Sequence, residues 1–267
     1  MKRLNVYLLL IGWFVLALLS ACVSSPMRPT ADLAMDAWKQ GDLTQARRLL
    51  EKAVRQHPEN LQARYNLAWL LEEQGHEDDA AALYEENLQH GMHLPSVINL
   101  AVHYQRHGAI DKAIQLLERA CVALPHEATP RYVLAQLMHQ TGDEKAAEHY
   151  FQEALQADVN NPLAHIFYAR WLASRDMIDP AIREARQATK LAPTCAVCWR
   201  ILGDVLMRHR RARRAIEAYQ RSLAIEPDTK TRQQLIAALQ AAGEKERAQR
   251  MHEALEAASG KGKSEHP

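Results

Sequence analysis

Two cysteines stand three residues apart in the segment Cys-Ala-Val-Cys-Trp, at Cys195 and Cys198. This spacing fits haem attachment, zinc binding, a redox-active thiol pair or a local disulfide. Haem attachment needs His after the second cysteine, where Trp199 stands, and a zinc ribbon needs a second cysteine pair, which the sequence lacks. At a helix start the two Cα atoms would lie about 5–6 Å apart, within disulfide range. We predict a disulfide, keep a redox role as the alternative, and interpret Cys121 as a buried, inert thiol.

Thirteen histidines raise the question of a metal site. The pairs His90/His93 and His103/His107 have spacings typical of metal ligands, and the second pair is one helical turn apart. No acidic residue or cysteine completes either pair locally. We therefore interpret these histidines as solvated polar positions at turns and expect no metal and no cofactor, with metal binding as the alternative.

The densest charge in the sequence is the run Arg-His-Arg-Arg-Ala-Arg-Arg at 208–214. We call its five arginines the basic edge: Arg208, Arg210, Arg211, Arg213 and Arg214. The last of them precede a predicted helix, whose N-terminal dipole they oppose. This mismatch indicates a contact surface for anionic lipid, glycan phosphate or an acidic protein, and a merely solvated edge is the alternative.

Overall charge and the known catalytic motifs exclude several functions. The chain carries 33 Lys and Arg against 32 Asp and Glu, a formal net charge of +1, so it is not built as a whole to bind nucleic acid. It has no Gly-rich phosphate loop, no Gly-x-Ser-x-Gly and no His-Glu-x-x-His. We expect neither an enzyme nor a small-molecule substrate.

A repeat organises these residues. Seven alanines recur every 33 or 34 residues, namely Ala46, Ala80, Ala113, Ala147, Ala181, Ala215 and Ala248. A Gly precedes five of them by five residues, and Asp176 and Arg210 replace it in the other two repeats. This period is typical of tetratricopeptide repeats. It predicts an all-α fold, a right-handed tetratricopeptide-repeat superhelix (α-solenoid) of about seven helix–turn–helix repeats. The repeats span approximately 27–60, 61–93, 94–127, 128–161, 162–195, 196–228 and 229–262.

The N-terminus has the features of an export signal. Lys2 and Arg3 precede thirteen uncharged, mostly apolar residues, a run too short to span a bilayer comfortably. The run ends in Leu-Ser-Ala-Cys at Cys22, the pattern of a bacterial lipobox. We predict a lipoprotein signal peptide at 1–21, a lipidated Cys22 opening a linker at 22–29, a solenoid at 30–259 and a flexible tail at 260–267.

From the lipobox through the last repeat, the chain resembles tetratricopeptide lipoproteins of the Gram-negative envelope, in particular the type IV pilus biogenesis and stability (pilotin-type) lipoproteins. The resemblance implies a non-catalytic scaffold for protein–protein interaction, anchored by its lipid at the periplasmic face of the outer membrane, since Val23 and not Asp follows Cys22. The implied partner is an envelope protein such as a secretin or a pilus-assembly component. The alternative is an adaptor that recruits peptidoglycan-active enzymes or other envelope machinery.

The resemblance also implies a binding groove. In tetratricopeptide solenoids the first helix of each repeat lines the concave face, with its second, fifth, ninth and twelfth positions pointing inward. Counted from the repeat starts, the groove residues are Tyr65, Trp69, Tyr132, Gln136, Arg170, Arg200 and Asp204. Aromatic residues and arginine are enriched at interface anchors. We expect an internal segment or a helix of a partner protein as the ligand, with the convex face as the alternative binding surface.

Overall fold

The computed structural model describes residues 30–261, with side chains described through Glu256, and each element in this range is an α-helix. The helices are α1 (Thr30–Lys39), α2 (Leu43–Gln56), α3 (Leu61–Glu73), α4 (Glu77–His90), α5 (Leu94–Arg106), α6 (Ile110–Ala123), α7 (Ala128–Thr141), α8 (Glu144–Ala157), α9 (Pro162–Ser174), α10 (Ile178–Leu191), α11 (Ala196–Arg208), α12 (Ala212–Ile225), α13 (Thr229–Ala241) and α14 (Lys245–Lys261). They pair in order as seven helix–turn–helix repeats, so the predicted all-α repeat fold is confirmed.

The turn inside each repeat uses one residue in the left-handed conformation. Gly142 ends α7 with φ +89°. In the next two repeats Asp176 and Arg210 take the same role at φ +60° and +55°. Non-glycine residues rarely adopt this region, so the surrounding helices hold the turn in place even where the sequence does not favour it.

The seven periodic alanines lie where the two helices of a repeat cross. Each is at most 2% exposed, because a methyl side chain lets the two backbones approach closely. On the first helix of the sixth repeat, Gly203 takes the position at which α1, α3, α5, α7 and α9 carry an alanine. A Cβ atom on Gly203 would stand 2.5 Å from Cε1 of Tyr219, so only glycine leaves room for that ring.

A second recurring contact ties repeats to the loops that precede them. At the fourth position of the first helix, four repeats carry a long side chain that donates to a main-chain carbonyl of the preceding loop. The pairs are Arg64 to Pro58, Arg131 to Leu124 (3.3 Å), His165 to Val159 (2.9 Å) and Trp199 to Pro193 (2.8 Å). These bonds satisfy carbonyl groups that a helix end leaves unpaired. Nothing in the repeat pattern predicted them.

The chain divides into two compact units, Met1–His90 and Gly91–Pro267. The described part of the first unit holds α1–α4, and its core includes the fully buried guanidinium of Arg64. That group pairs with Glu86 at 3.1 Å and donates to Oδ1 of Asn87 at 2.9 Å. The second unit holds α5–α14, and one apolar core runs through it from Ala128 to Ala248.

Three predicted segments lie at the ends of the described residues or outside them. The signal peptide, Cys22 and the linker through residue 29 lie outside the described residues. Helix α14 continues to Lys261, beyond residue 259 where the predicted solenoid ended, and residues 262–267 also lie outside. Within residues 30–261, no helix has both the length and the apolar character needed to cross a membrane.

Candidate partner-binding surfaces

In the first unit, two predicted groove residues lie on α3, and a third aromatic residue joins them. The ring of Trp69 meets that of Trp38 edge to face, with centroids 5.2 Å apart, and Tyr65 lies 5.8 Å from Tyr84. Trp69 and Tyr65 are half-buried, whereas Trp38 is 37% exposed. Trp38 occupies the twelfth position of the first repeat, so the groove rule identifies it although our prediction omitted it. We call Trp38, Tyr65 and Trp69 the aromatic face.

In the second unit, one predicted groove residue is not a surface residue. Tyr132 is only 6% exposed because its ring stacks against Phe167 on α9, with centroids 5.1 Å apart and planes 24° apart. Burial raises the pKa of its hydroxyl. The prediction that Tyr132 lines the groove is therefore wrong. Tyr132 belongs to the core, and the half-buried Phe167 packs against it.

Next to this stack, Arg170 on α9 contacts Gln136 on α7, one repeat earlier in the chain. Its Nη2 donates to Oε1 of Gln136 at 3.2 Å, and its guanidinium lies 5.3 Å from the Phe167 ring centroid. Both contacts hold the side chain in one place while the residue as a whole stays exposed. Partial burial and the neighbouring Arg200 lower the pKa of Arg170.

The row of predicted groove residues on the first helices continues with Arg200 and Asp204 on α11, and Asp204 contacts Gln234 on α13. Nη1 of Arg200 lies 3.8 Å from Oδ2 of Asp204, and Oδ1 of Asp204 accepts from the Tyr219 hydroxyl at 2.7 Å and from Nε2 of Gln234 at 2.8 Å. Burial raises the pKa of Asp204, although these hydrogen bonds and Arg200 oppose the shift. Asp204 is therefore committed to internal contacts, and Oε1 of Gln234 is buried without a hydrogen-bond partner among the described residues.

Four side chains of this row remain available on one side of the second unit. We call Gln136, Phe167, Arg170 and Arg200 the guanidinium face. Apart from its bond to Gln136, the Arg170 guanidinium has no hydrogen-bond partner among the described residues. A planar guanidinium held over an aromatic ring can donate two parallel hydrogen bonds to a carboxylate or bind main-chain carbonyls.

The basic edge spans the junction of α11 and α12: Arg208 ends α11, Arg210 and Arg211 lie in the turn, and Arg213 and Arg214 lie in the first turn of α12. Arg208 is exposed, and its Nη1 donates to the carbonyl of Ala173 at 3.1 Å. Arg211 is half-buried, with Nη2 at 3.7 Å from Oδ1 of Asp179. The side chains of Arg210, Arg213 and Arg214 are exposed and form no ion pair within the described residues.

The cysteines are separate from both faces. Cys195 and Cys198 are joined by a disulfide with Cα atoms 5.3 Å apart, and the sulfur of Cys195 accepts from the Cys198 amide at the start of α11. Cys198 is fully buried. Cys121 is half-buried, and burial raises the pKa of its thiol to about 11, so the thiol carries little thiolate near neutral pH.

Two of the histidines with ligand-like spacing lie together on the second unit. The His103 and His107 rings have centroids 4.2 Å apart, and Nδ1 of His107 donates to the carbonyl of His103 at 2.9 Å. That bond leaves Nε2 as the ligand atom of His107. The absence of a metal stays a prediction.

Comparison with known proteins agrees with the geometry. Two family models described as Tetratricopeptide repeat match this chain, one at residues 31–89 and 172–228 and the other at 104–170. The chain is 30% identical to Cleavage stimulation factor subunit 77 of Arabidopsis thaliana over 42% of its length, and 29% identical to Antiviral innate immune response effector IFIT1 of Homo sapiens over 67%. It spans 15% and 35% of those relatives. A tetratricopeptide repeat crystal structure from Parabacteroides merdae aligns with TM-score 0.60 at 21% identity, covering 85% of this chain and 91% of that one.

Proposed function

We propose that this chain, which belongs to the tetratricopeptide repeat family, is a non-catalytic scaffold that binds a partner protein of the bacterial envelope through its first-helix faces. Tetratricopeptide repeat proteins generally act as protein-interaction scaffolds. The finer assignment rests on this chain's own residues, and a lipid on Cys22 is the proposed anchor.

The observation that carries the proposal is the fixed position of Arg170. Its guanidinium contacts Gln136 and Phe167 within the chain itself, so Arg170 loses less side-chain entropy on binding than an arginine without such contacts. Arginine and aromatic residues held in this way are the types that dominate binding energy at protein interfaces. A repeat array that only needed to fold would gain little from an exposed cation at this point.

The ligand chemistry follows from the guanidinium face. The face offers donors from Arg170 and Arg200 beside the Phe167 ring, which suits a segment with a carboxylate or main-chain carbonyls and one apolar side chain. An internal segment or the end of a helix presents such groups. As its most specific form, we propose that the partner belongs to the secretin or pilus-assembly machinery, which rests on the lipoprotein resemblance.

The proposed envelope location rests on the sequence around Cys22. A diacylglyceryl group on that cysteine, with the acyl chain of the new N-terminus, supplies the two or more chains needed for stable membrane anchoring. The predicted linker at 22–29 would then join the anchor to the first repeat.

Affinity capture tests the proposal directly. Lipidated full-length protein carrying an affinity tag is purified from membranes after mild solubilisation, and co-purifying proteins are identified by mass spectrometry. The variants Arg170→Ala and Trp69→Ala address the two faces separately. Arg183→Ala is the matched control, because Arg183 is also an exposed arginine but lies on α10, a second helix.

We expect one envelope protein to co-purify with the parent chain and with Arg183→Ala. Truncation of an interface anchor costs about 2 kcal/mol or more of binding free energy, so the affinity of Arg170→Ala for the partner should fall by about thirtyfold, and less partner should be captured. If Arg170→Ala and Trp69→Ala both capture the partner as well as the parent does, the first-helix faces are not the binding surface.

A further inference from the structure

Four arginines of the basic edge line an open recess in the second unit. Its volume is about 680 Å³, and it is lined by Arg210, Arg211, Arg213 and Arg214 together with Ala212 and with Ala241 and Ala242 at the end of α13. The three alanines are small, so the space between the arginine side chains is not filled by other groups. We call this space the basic recess. It lies at the turns of the last two repeats, apart from the guanidinium face.

The charges around the basic recess are poorly balanced. Asp179 is the one carboxylate within ion-pair distance of its arginines in the described part of the chain, and it is 74% exposed and 3.7 Å from Arg211. Arg210, Arg213 and Arg214 have no acidic partner in the same part. Elsewhere in the described residues, Arg47 pairs with Glu51 on α2, and Arg247 pairs with Glu244 directly before α14.

The helix beside the recess adds to this imbalance. Helix α12 begins at Ala212 with no acidic residue in its first turn, and its N-cap residue Arg211 makes no side-chain cap. The equivalent helix α8 begins at Glu144 and is capped by Asp143, which accepts from the Ala146 amide. At α12 the partial positive charge of the helix start and the four arginines therefore have the same sign, and an incoming anion interacts favourably with all of them.

The form of the recess selects among anionic ligands. A bilayer presents a broad plane of charge, whereas these arginines lie around an open hollow between the start of α12 and the end of α13, with small apolar residues beside them. A space of this volume accommodates a few side chains. Guanidinium groups bind carboxylates with two parallel hydrogen bonds, and the apolar walls suit the methylene groups of glutamate.

We propose that the basic recess is a second binding site, which takes an acidic segment of a partner protein by placing its carboxylates among Arg210, Arg213 and Arg214. This inference rests on the proposed function in one respect, namely that the ligand is a protein. The guanidinium face and the basic recess involve different residues, so one site can fail while the other holds.

The probe is a fluorescent twelve-residue peptide of alternating Glu and Gly, titrated with the full chain at low and at physiological salt. The test variant is R210Q/R213Q/R214Q. The matched control is R183Q/R186Q/K190Q, which removes three exposed cations from α10 and changes the net charge equally. Thermal unfolding of each variant verifies the fold, and a peptide with Gln in place of Glu serves as the neutral probe.

We expect the Glu peptide to bind the parent and the control variant equally, and to bind less tightly at higher salt because exposed charges are screened. Affinity should drop by about tenfold or more in R210Q/R213Q/R214Q, since charge-assisted hydrogen bonds are lost. Equal loss in the control variant would overturn the inference by showing a net-charge effect. If Arg170→Ala lost the Glu peptide and R210Q/R213Q/R214Q kept it, the acidic segment would bind at the guanidinium face and the inference would be wrong.

Vesicles containing phosphatidylglycerol distinguish a lipid ligand from a protein one. The inference expects little binding of the full chain to them through the recess, judged by comparing the parent with R210Q/R213Q/R214Q. Recess-dependent binding to vesicles with no binding of the Glu peptide would show that the recess recognises lipid headgroups, and the inference would then be wrong.

Discussion

The guanidinium of Arg170 donates to Oε1 of Gln136 at 3.2 Å, and the two residues are 34 positions apart, one full repeat. Both occupy the ninth position of a first helix, and Asp204 occupies that position in the following repeat. The repeat period therefore does more than stack helices. It brings equivalent surface positions within hydrogen-bond distance of one another and builds an ordered polar row from residues that are remote in sequence.

Lipidation of Cys22 can be tested by one substitution. Cys22→Ser removes the thiol that would accept the diacylglyceryl group, so the protein should leave the outer-membrane fraction and lose incorporation of labelled palmitate. The control is Cys121→Ser, which removes a cysteine from α6 and should leave fractionation unchanged. If Cys22→Ser remains membrane-bound with its label, the lipoprotein assignment is wrong.

We expect the disulfide between Cys195 and Cys198 to stabilise the folded protein only slightly. The loop that it closes is short, so its loss should cost no more than about 2 kcal/mol. In Cys195→Ser with Cys198→Ala the new hydroxyl can take over the helix cap from the Cys195 sulfur, which limits the loss further.

Protein alkylated at the moment of cell lysis should show this pair joined by mass spectrometry, with Cys121 alkylated. Two alkylated cysteines at 195 and 198 would contradict the prediction and favour the redox alternative.

Gly203 and Tyr219 form a pair that a double-mutant cycle can isolate. Gly203→Ala should destabilise the protein by about 1–3 kcal/mol, because the added methyl group displaces the Tyr219 ring and its hydrogen bond to Asp204. In the background of Tyr219→Leu the same change should stabilise by up to about 1 kcal/mol, since alanine favours helix over glycine. The shift in thermal unfolding midpoint measures both. Equal effects in the two backgrounds would show that the ring does not set the requirement for glycine.

Buried His165 should make stability depend on pH. Burial alone would lower its pKa, but the hydrogen bonds to Glu184 (2.7 Å) and to the Val159 carbonyl outweigh burial and raise the pKa. A raised folded-state pKa contributes stability that is fully present below about pH 6.5 and is lost as pH rises through the folded-state value.

The measurement for His165 is thermal unfolding between pH 6 and 9. The difference between the parent and His165→Gln should shrink as pH rises through the folded-state pKa of His165. A difference that stays constant or grows would mean that His165 is not protonated in the folded protein.

The repeat fold followed from the sequence because its causes are local and periodic. The buried alanines such as Ala46 and Ala215 mark helix crossings, and the left-handed conformation at Asp176 and Arg210 follows from the register of the glycines. Each of these features depends on spacing within one repeat, which a single sequence displays.

The side-chain partners did not follow, because they depend on neighbours in other repeats. Tyr132 satisfied the groove rule, yet Phe167 one repeat later covers its ring. The contacts of His165 and Trp199 with loop carbonyls depend on where the preceding helix ends in space. Position in a helix predicted which way a residue points, whereas exposure depended on the size of the residue beside it.

Photo-crosslinking in living cells tests most directly whether the guanidinium face contacts a partner protein. A benzophenone amino acid replaces Leu163 in one strain and Arg183 in another, and crosslinked products of the full chain are compared on gels and identified by mass spectrometry. Leu163 is 36% exposed and lies on α9 one helical turn before Phe167, so its replacement leaves Arg170 in place. We expect a discrete crosslinked species from position 163 and none from position 183. A partner crosslinked from position 183 with none from position 163 would contradict the proposed binding surface.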